Sequence, residues 1–177
     1  TPYPFYIGVF ISIAGFLLTL FCVKDTRHFV NQESLSNKSA PLKNVFLETT
    51  FKDKTLSSVT QAGLINNLND GMIWGLLPVV LLSLHYHTGK IGIITAIYPT
   101  VWGIGQLFTG KMSDVYSKKA MLFWGMLLQG IAILCIPVSS RFMELAVIST
   151  ILGLGTALVY PTFLSAIAQA TSPGQRA

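Results

Sequence analysis

Asn66, Asn67, Asp70 and Trp74 follow one another at separations of one, three and four, so they fall on one side of a helix. They put a stripe of amides, a carboxyl and an indole on a segment, Val59 to Leu84, that has no other charged residue. An ionised carboxylate at mid-bilayer costs about 2.5–3.5 kcal/mol on insertion scales, so such groups are rare and tend to mark function. A carboxyl that gains and loses a proton there can couple proton movement to a solute. The plainer alternative is that Asp70 only bonds a neighbouring helix or pairs with a basic residue elsewhere. Asp70, Asn66 and Asn67 are therefore the proton-coupling or substrate candidates.

Other chemistries find little support. His85 and His87 stand two apart, which on a helix splits them onto different faces, and no third ligand accompanies them. No G-x-S-x-G, HExxH or phosphate-binding glycine–lysine loop occurs. Cys22 and Cys135 lie inside apolar runs and suit packing better than a disulfide or metal set. The expectation is a protein without catalytic residues, metal or cofactor. Trp74, Tyr98, Gln106, Tyr160 and Thr162 are candidates for lining a cavity, although core packing or interfacial anchoring suits the aromatics equally well.

These side chains need elements to hold them. Phe5–Val23, Ile91–Gly110, Ala120–Ser140 and Leu145–Gln175 carry no charge, and Val59–Leu84 carries only Asp70. About 20 apolar residues at roughly 1.5 Å rise cross a bilayer's hydrocarbon core. Charged residues make up 11% and hydrophobic residues 51% of the chain, whereas a soluble domain is about a quarter charged. In lipid each backbone amide needs a partner within its own segment, so the expected fold is all-α with five transmembrane helices. Polarity is uneven among them. Ser12 and Thr19 in the first span and Gln129 in the fourth are tolerable toward lipid, whereas the second, third and fifth spans carry Asn66, Asp70, Tyr98, Thr100, Gln106, Thr156 and Tyr160. Spans two, three and five are expected to line something, and one and four to lie outside.

Twelve basic residues against seven acidic give a pI near 9.3, yet their placement speaks for a membrane and not for nucleic acid. Ten of the twelve fall in alternate connections: Lys24 to Lys54, Lys111 to Lys119, and Arg176; only Lys90 and Arg141 occupy the others. That is the positive-inside bias, which puts 24–57 and 111–119 in the cytoplasm. A secretory signal fits residues 1–23 poorly because their basic residues follow the apolar run. The expected organisation is a transmembrane helix over 1–23, a cytoplasmic linker over 24–57 with a short surface helix near Leu42–Phe51, and a membrane unit over 58–177. Neither terminus looks natural, which suggests an interior piece of a longer chain. Pro78, Pro99, Pro137 and Pro161, with Gly71, Gly75, Gly103, Gly105, Gly153 and Gly155, punctuate the spans, the glycines suiting close helix packing.

The connection Gly110–Lys119, GKMSDVYSKK, resembles the signature G-x-x-x-D-R-x-G-R-[RK] of the major facilitator superfamily. Gly110, Asp114, Lys118 and Lys119 occupy matching positions, while Val115 and Ser117 replace the usual Arg and Gly, an erosion closer to the second-half copy of the motif. Physically, Gly110 would let helix ends approach, Asp114 would cap a helix or meet a base, and the lysines would hold the turn at the surface. Lys24–Arg27, Asn66–Gly71 through Trp74–Gly75 and Pro78, Gly153–Gly155 with Tyr160–Thr162, and Ser172–Arg176 are similar in order and spacing to the sixth, seventh and tenth helices and adjoining loops.

The resemblance implies helices six to ten of twelve, the 58–177 segment being part of the C-terminal half, with the N-terminal half of the same chain as partner. It also implies a conformational latch at the turn and secondary transport by halves that rock about a midplane site. A small organic solute moved by proton-coupled efflux through the bacterial inner membrane is the favoured expectation. Uptake of a sugar or organic anion, or a non-transporting sensor on the same scaffold, is the alternative.

Overall fold

The computed structural model describes residues 3–23 and 45–171. Most of the 24–57 linker, including Lys24–Arg27, and the segment Ser172–Arg176 lie outside the described residues. Helix α1 spans Tyr3–Cys22; α2, Val45–Leu47, runs into a π-helical turn, Glu48–Lys52; α3 spans Lys54–Ser83, α4 Thr88–Val115, α5 Lys118–Cys135 and α6 Phe142–Ala170. A 3-10 turn, Ile136–Val138, holds Pro137 and closes α5. The chain is all-α, and no strand occurs among the described residues.

Among the described residues four helical segments are long and apolar enough to cross a membrane: Tyr3–Cys22, Thr88–Val115, Lys118–Val138 and Phe142–Ala170. Helix α3 has 30 residues, about 45 Å of helix, but its asparagines and Asp70 hold its hydropathy below theirs. The polar stripe that marks α3 as a candidate site thus also weakens its signal as a span.

Local chemistry sets the helix ends. The Asp53 carboxylate accepts from the Leu56 amide at 2.8 Å and caps α3. At its other end His85 adopts φ 62°, and Tyr86 N–H reaches back to the Leu81 carbonyl at 3.1 Å, a Schellman-type stop. His85 is therefore a helix-stop residue, and His87 takes the N-cap position of α4. Glu144 accepts from the Arg141 amide at 3.3 Å and opens α6. Pro78, Pro99 and Pro161 all lie within continuing helices. The short helix expected near Leu42–Phe51 is α2 with its π-turn, tied to α3 by Ser57 Oγ donating to the Thr50 carbonyl at 2.7 Å.

Helix α6 is the centre of the packing, lying along α4 on one side and α5 on the other and touching α3. Glycines set these approaches. A Cβ on Gly153 would sit 2.7 Å from the Tyr98 carbonyl oxygen of α4, and one on Gly155 would sit 2.8 Å from the Gly125 carbonyl oxygen of α5. By contrast a Cβ on Gly71, Gly75, Gly103 or Gly110 would meet nothing within 4 Å. The Gly71/Gly75 step makes no helix contact among the described residues, and Gly110 does not bring helix ends together there. Helix α1 buries none of its residues.

Two apolar clusters result. One gathers Ile73, Leu77 and Leu81 with Ile94, Leu145 and Leu152; the other gathers Val59 with Val159, Phe163 and Ala166. On α3 and on α6 alike, polar residues lie between the two clusters.

Candidate functional site

Asp70 sits at the middle of α3, about 24 Å of helix from Lys54 and about 20 Å from Ser83. It is half-buried, and both carboxylate oxygens are engaged: the Tyr98 hydroxyl of α4 donates to Oδ1, and Asn66 Nδ2, one turn back, lies 3.4 Å from Oδ2. The Tyr98 hydroxyl also lies 3.3 Å from Thr156 Oγ1 of α6. Thr156 in turn donates to the Leu152 carbonyl of its own helix at 3.1 Å.

The chain of bonds continues on the far side. Gln129 of α5 donates through Nε2 to Asn66 Oδ1 at 2.9 Å and accepts through Oε1 from Asn69 Nδ2 at 3.0 Å. Its amide reaches α3 beside Gly155, where a Cβ would come within 2.9 Å of Gln129 Cγ. A glycine on α6 therefore leaves the room through which α5 meets the stripe of α3. Gln129, Asn66, Asp70, Tyr98 and Thr156 link four helices in one hydrogen-bonded path, and Gln129 is fully buried. The expectation that Gln129 is tolerated toward lipid is thereby corrected: α5 turns it inward, because a primary amide in hydrocarbon needs partners.

Among the described residues no basic side chain bonds Asp70. Lys54, Lys90, Lys111, Lys118, Lys119 and Arg141 all stand toward helix ends, and Arg141 pairs with Glu144 at 3.8 Å at the surface. Among the described residues the negative charge, when present, is held by neutral donors, Tyr98 and Asn66.

An aromatic row starts one turn beyond Asp70. Trp74 meets Tyr98 edge-on at 6.1 Å between ring centroids, Tyr98 stacks on Trp102 at 6.2 Å and 20°, and Trp102 meets Tyr160 of α6 at 5.5 Å. Tyr98 is buried, whereas Trp74 and Tyr160 are exposed. The Trp102 indole N–H is buried and has no acceptor among the described residues. A cavity of about 140 Å³ opens beside Trp74 and Tyr98, walled by Ile73, Leu77, Pro78 and Thr95.

Other sequence candidates fall elsewhere. Asn67 is exposed and Gln106 half-buried, neither with a hydrogen bond among the described residues. Thr162 is fully buried; its hydroxyl donates to the Leu158 carbonyl at 2.6 Å and faces Met121 Sδ at 3.9 Å, a packing position between α6 and α5. Asn69, Trp102, Gln129 and Thr156 are the members that sequence reasoning left out of the site. Trp102 follows Tyr98 at i+4, a signal available in the sequence; Gln129 had none beyond being the lone amide of its span.

The turn Gly110–Lys119 is shorter than its motif suggests. Helix α4 continues to Val115, so only Tyr116 and Ser117 separate it from α5. Ser117, not Asp114, caps the following helix, accepting from Ala120 N–H at 3.4 Å. Asp114 is exposed and has no hydrogen bond or ion pair among the described residues. Lys118 and Lys119 border a groove of about 900 Å³ between the N-terminal ends of α3 and α5 and the C-terminal end of α6, away from Asp70.

Comparison with known proteins fits this arrangement. The profile of the Major Facilitator Superfamily matches residues 59–177. Among curated proteins, an uncharacterised MFS-type transporter of Bacillus subtilis (strain 168), YwoD, is 23% identical over 107 residues, which cover 60% of this chain and 24% of YwoD. The chain thus spans about a quarter of that relative's length. No solved structure matches significantly.

Proposed function

The chain belongs to the major facilitator superfamily and is an integral membrane protein, and from that premise we propose that its helices form part of a secondary active transporter in which Asp70 is the titrating group that couples a proton to a small organic solute. Alternating access would move two halves about a site at the level of Asp70, and no bond of the solute is made or broken. The favoured direction is efflux through a bacterial inner membrane, with the basic 24–57 and 111–119 segments on the cytoplasmic side.

One observation carries this reading: a carboxylate at the middle of a 30-residue helix, held by neutral donors among the described residues. A structural carboxylate in hydrocarbon is normally neutralised by a cationic partner, because an unpaired charge there is expensive. With none bonded to it among the described residues, protonation supplies a route to neutrality, and solute binding can compete with the proton for the same oxygens.

The Tyr98 hydroxyl supplies a two-state element. When Asp70 is ionised, Tyr98 donates to it. When Asp70 carries a proton, the carboxyl becomes a donor, and the Tyr98 hydroxyl is free to accept from it and donate to Thr156. The rotation alters the bond between α4 and α6 without breaking either helix. The bonds from Gln129 fix Asn66 and so hold the other carboxylate oxygen in register through the change. The two apolar clusters exclude water on either side, which strengthens these interactions.

The test is flux in proteoliposomes under an imposed pH gradient, read for a panel of small organic solutes. Asp70→Asn keeps the shape and a Tyr98 acceptor but cannot exchange a proton. It is expected to abolish gradient-driven flux while the purified protein stays monodisperse. Undiminished gradient-driven flux in Asp70→Asn would defeat the proposal.

A further inference from the structure

We infer that the solute is an organic cation, its charge facing Asp70 and its apolar body lying against Trp74, Tyr98, Trp102 and Tyr160; this rests on the transport reading of the same site. The sign of charge comes first. Asp70 is the one charged residue of the described helices away from their ends, so a cation finds an attractive partner, while an anion meets repulsion and no base among those helices. A neutral solute would leave the carboxylate without a recognition role.

The surrounding rings favour the same class. Cations are attracted to the faces of Trp and Tyr within about 6 Å, more strongly where water is excluded. Trp74 lies one turn from Asp70 on α3, and the row Trp74–Tyr98–Trp102–Tyr160 runs from there to α6 with centroids 6.1, 6.2 and 5.5 Å apart. An acid beside four rings combines a counter-charge with polarisable walls.

Two further features suit such a solute. The Trp102 indole N–H is buried without an acceptor, a condition that a ligand's ether oxygen or aromatic face would relieve. The cavity of about 140 Å³ beside Trp74 and Tyr98 is apolar and of the size that receives a single benzene ring, which suits one aryl arm of a bulky cation.

Tetraphenylphosphonium and tetraphenylborate share a shape and differ in the sign of charge, so they isolate the claim. Equilibrium dialysis of each against the purified full-length protein in detergent is expected to show binding of the phosphonium and none of the borate. Asp70→Asn should weaken phosphonium binding by about tenfold or more, and Trp102→Leu by several-fold. Where Trp102→Leu fails to fold, Trp102→Phe takes its place: it keeps a ring, loses the N–H and should weaken binding less than Asp70→Asn. Equal binding of the borate, or phosphonium affinity unchanged in Asp70→Asn, would overturn the inference. Phosphonium binding without any pH-driven flux would defeat the transport reading and leave the cation site standing. pH-driven flux of neutral solutes without phosphonium binding would do the reverse.

Discussion

The path from Gln129 through Asn66 and Asp70 to Tyr98 and Thr156 and the turn Gly110–Lys119 are both polar, and they differ in every physical respect. The first lies between two apolar clusters, and each member bonds a side chain of a neighbouring helix or of its own. The second is exposed over most of its length, with Ser113 its buried member, and its acid, Asp114, bonds nothing among the described residues. In a membrane protein a polar group far from water is held by partners, whereas one at the surface is held by solvent. Interconnection is therefore the feature on which the proposed site rests, and the recognisable motif is expected to contribute little to the stability of this conformation.

That contrast fails or sharpens with substitutions. Gly155→Val should have the largest effect on stability, since its Cβ already meets the Gly125 carbonyl oxygen and Gln129 at under 3.0 Å. Forcing α5 from α6 costs about 3 kcal/mol or more and withdraws Gln129 from α3; a thermal melt of the purified protein would fall sharply. Gln129→Leu, similar in size, removes two interhelical bonds and leaves Asn66 and Asn69 short of partners. The expected loss is about 1–3 kcal/mol in the same melt, with a changed pH dependence of flux. An unaltered melt would mean that the buried path is incidental.

Substitution in the turn should matter least. Asp114→Asn, Lys118→Gln and Lys119→Gln should each stay within about 0.5 kcal/mol of the parent, because charges at the surface that make no ion pair among the described residues contribute little. A fall comparable to that of Gln129→Leu would erase the distinction between the two regions. If the turn latches a different conformation, as its family resemblance implies, its effect belongs in the rate of flux and not in the melt.

Much of the fold was legible because lipid narrows the choices: long uncharged runs become helices, and α4, α5 and α6 lie where the runs predict them. Their ends were less so. Helix α4 passes Gly110 to Val115 because nothing in Lys111–Asp114 breaks a helix, whereas charge and the resemblance to the family signature mark those residues as turn. Asp70 and Tyr98 could be chosen from residue type, but their contact depends on how α3 meets α4, which no local period encodes. Gln129 illustrates the same limit: whether a lone amide faces lipid or core depends on Gly155 of another helix, 26 residues further on. Thr162 is the opposite case, polar in type yet occupied by its own backbone and a methionine.

Everything about coupling turns on whether Asp70 changes protonation inside the membrane. Infrared difference spectroscopy between acidic and neutral pH, on the full-length protein and on Asp70→Asn, isolates the carbonyl stretch of a protonated carboxyl. A titrating band in the parent that is missing from Asp70→Asn is the expected result. A difference spectrum that Asp70→Asn leaves unchanged would contradict it.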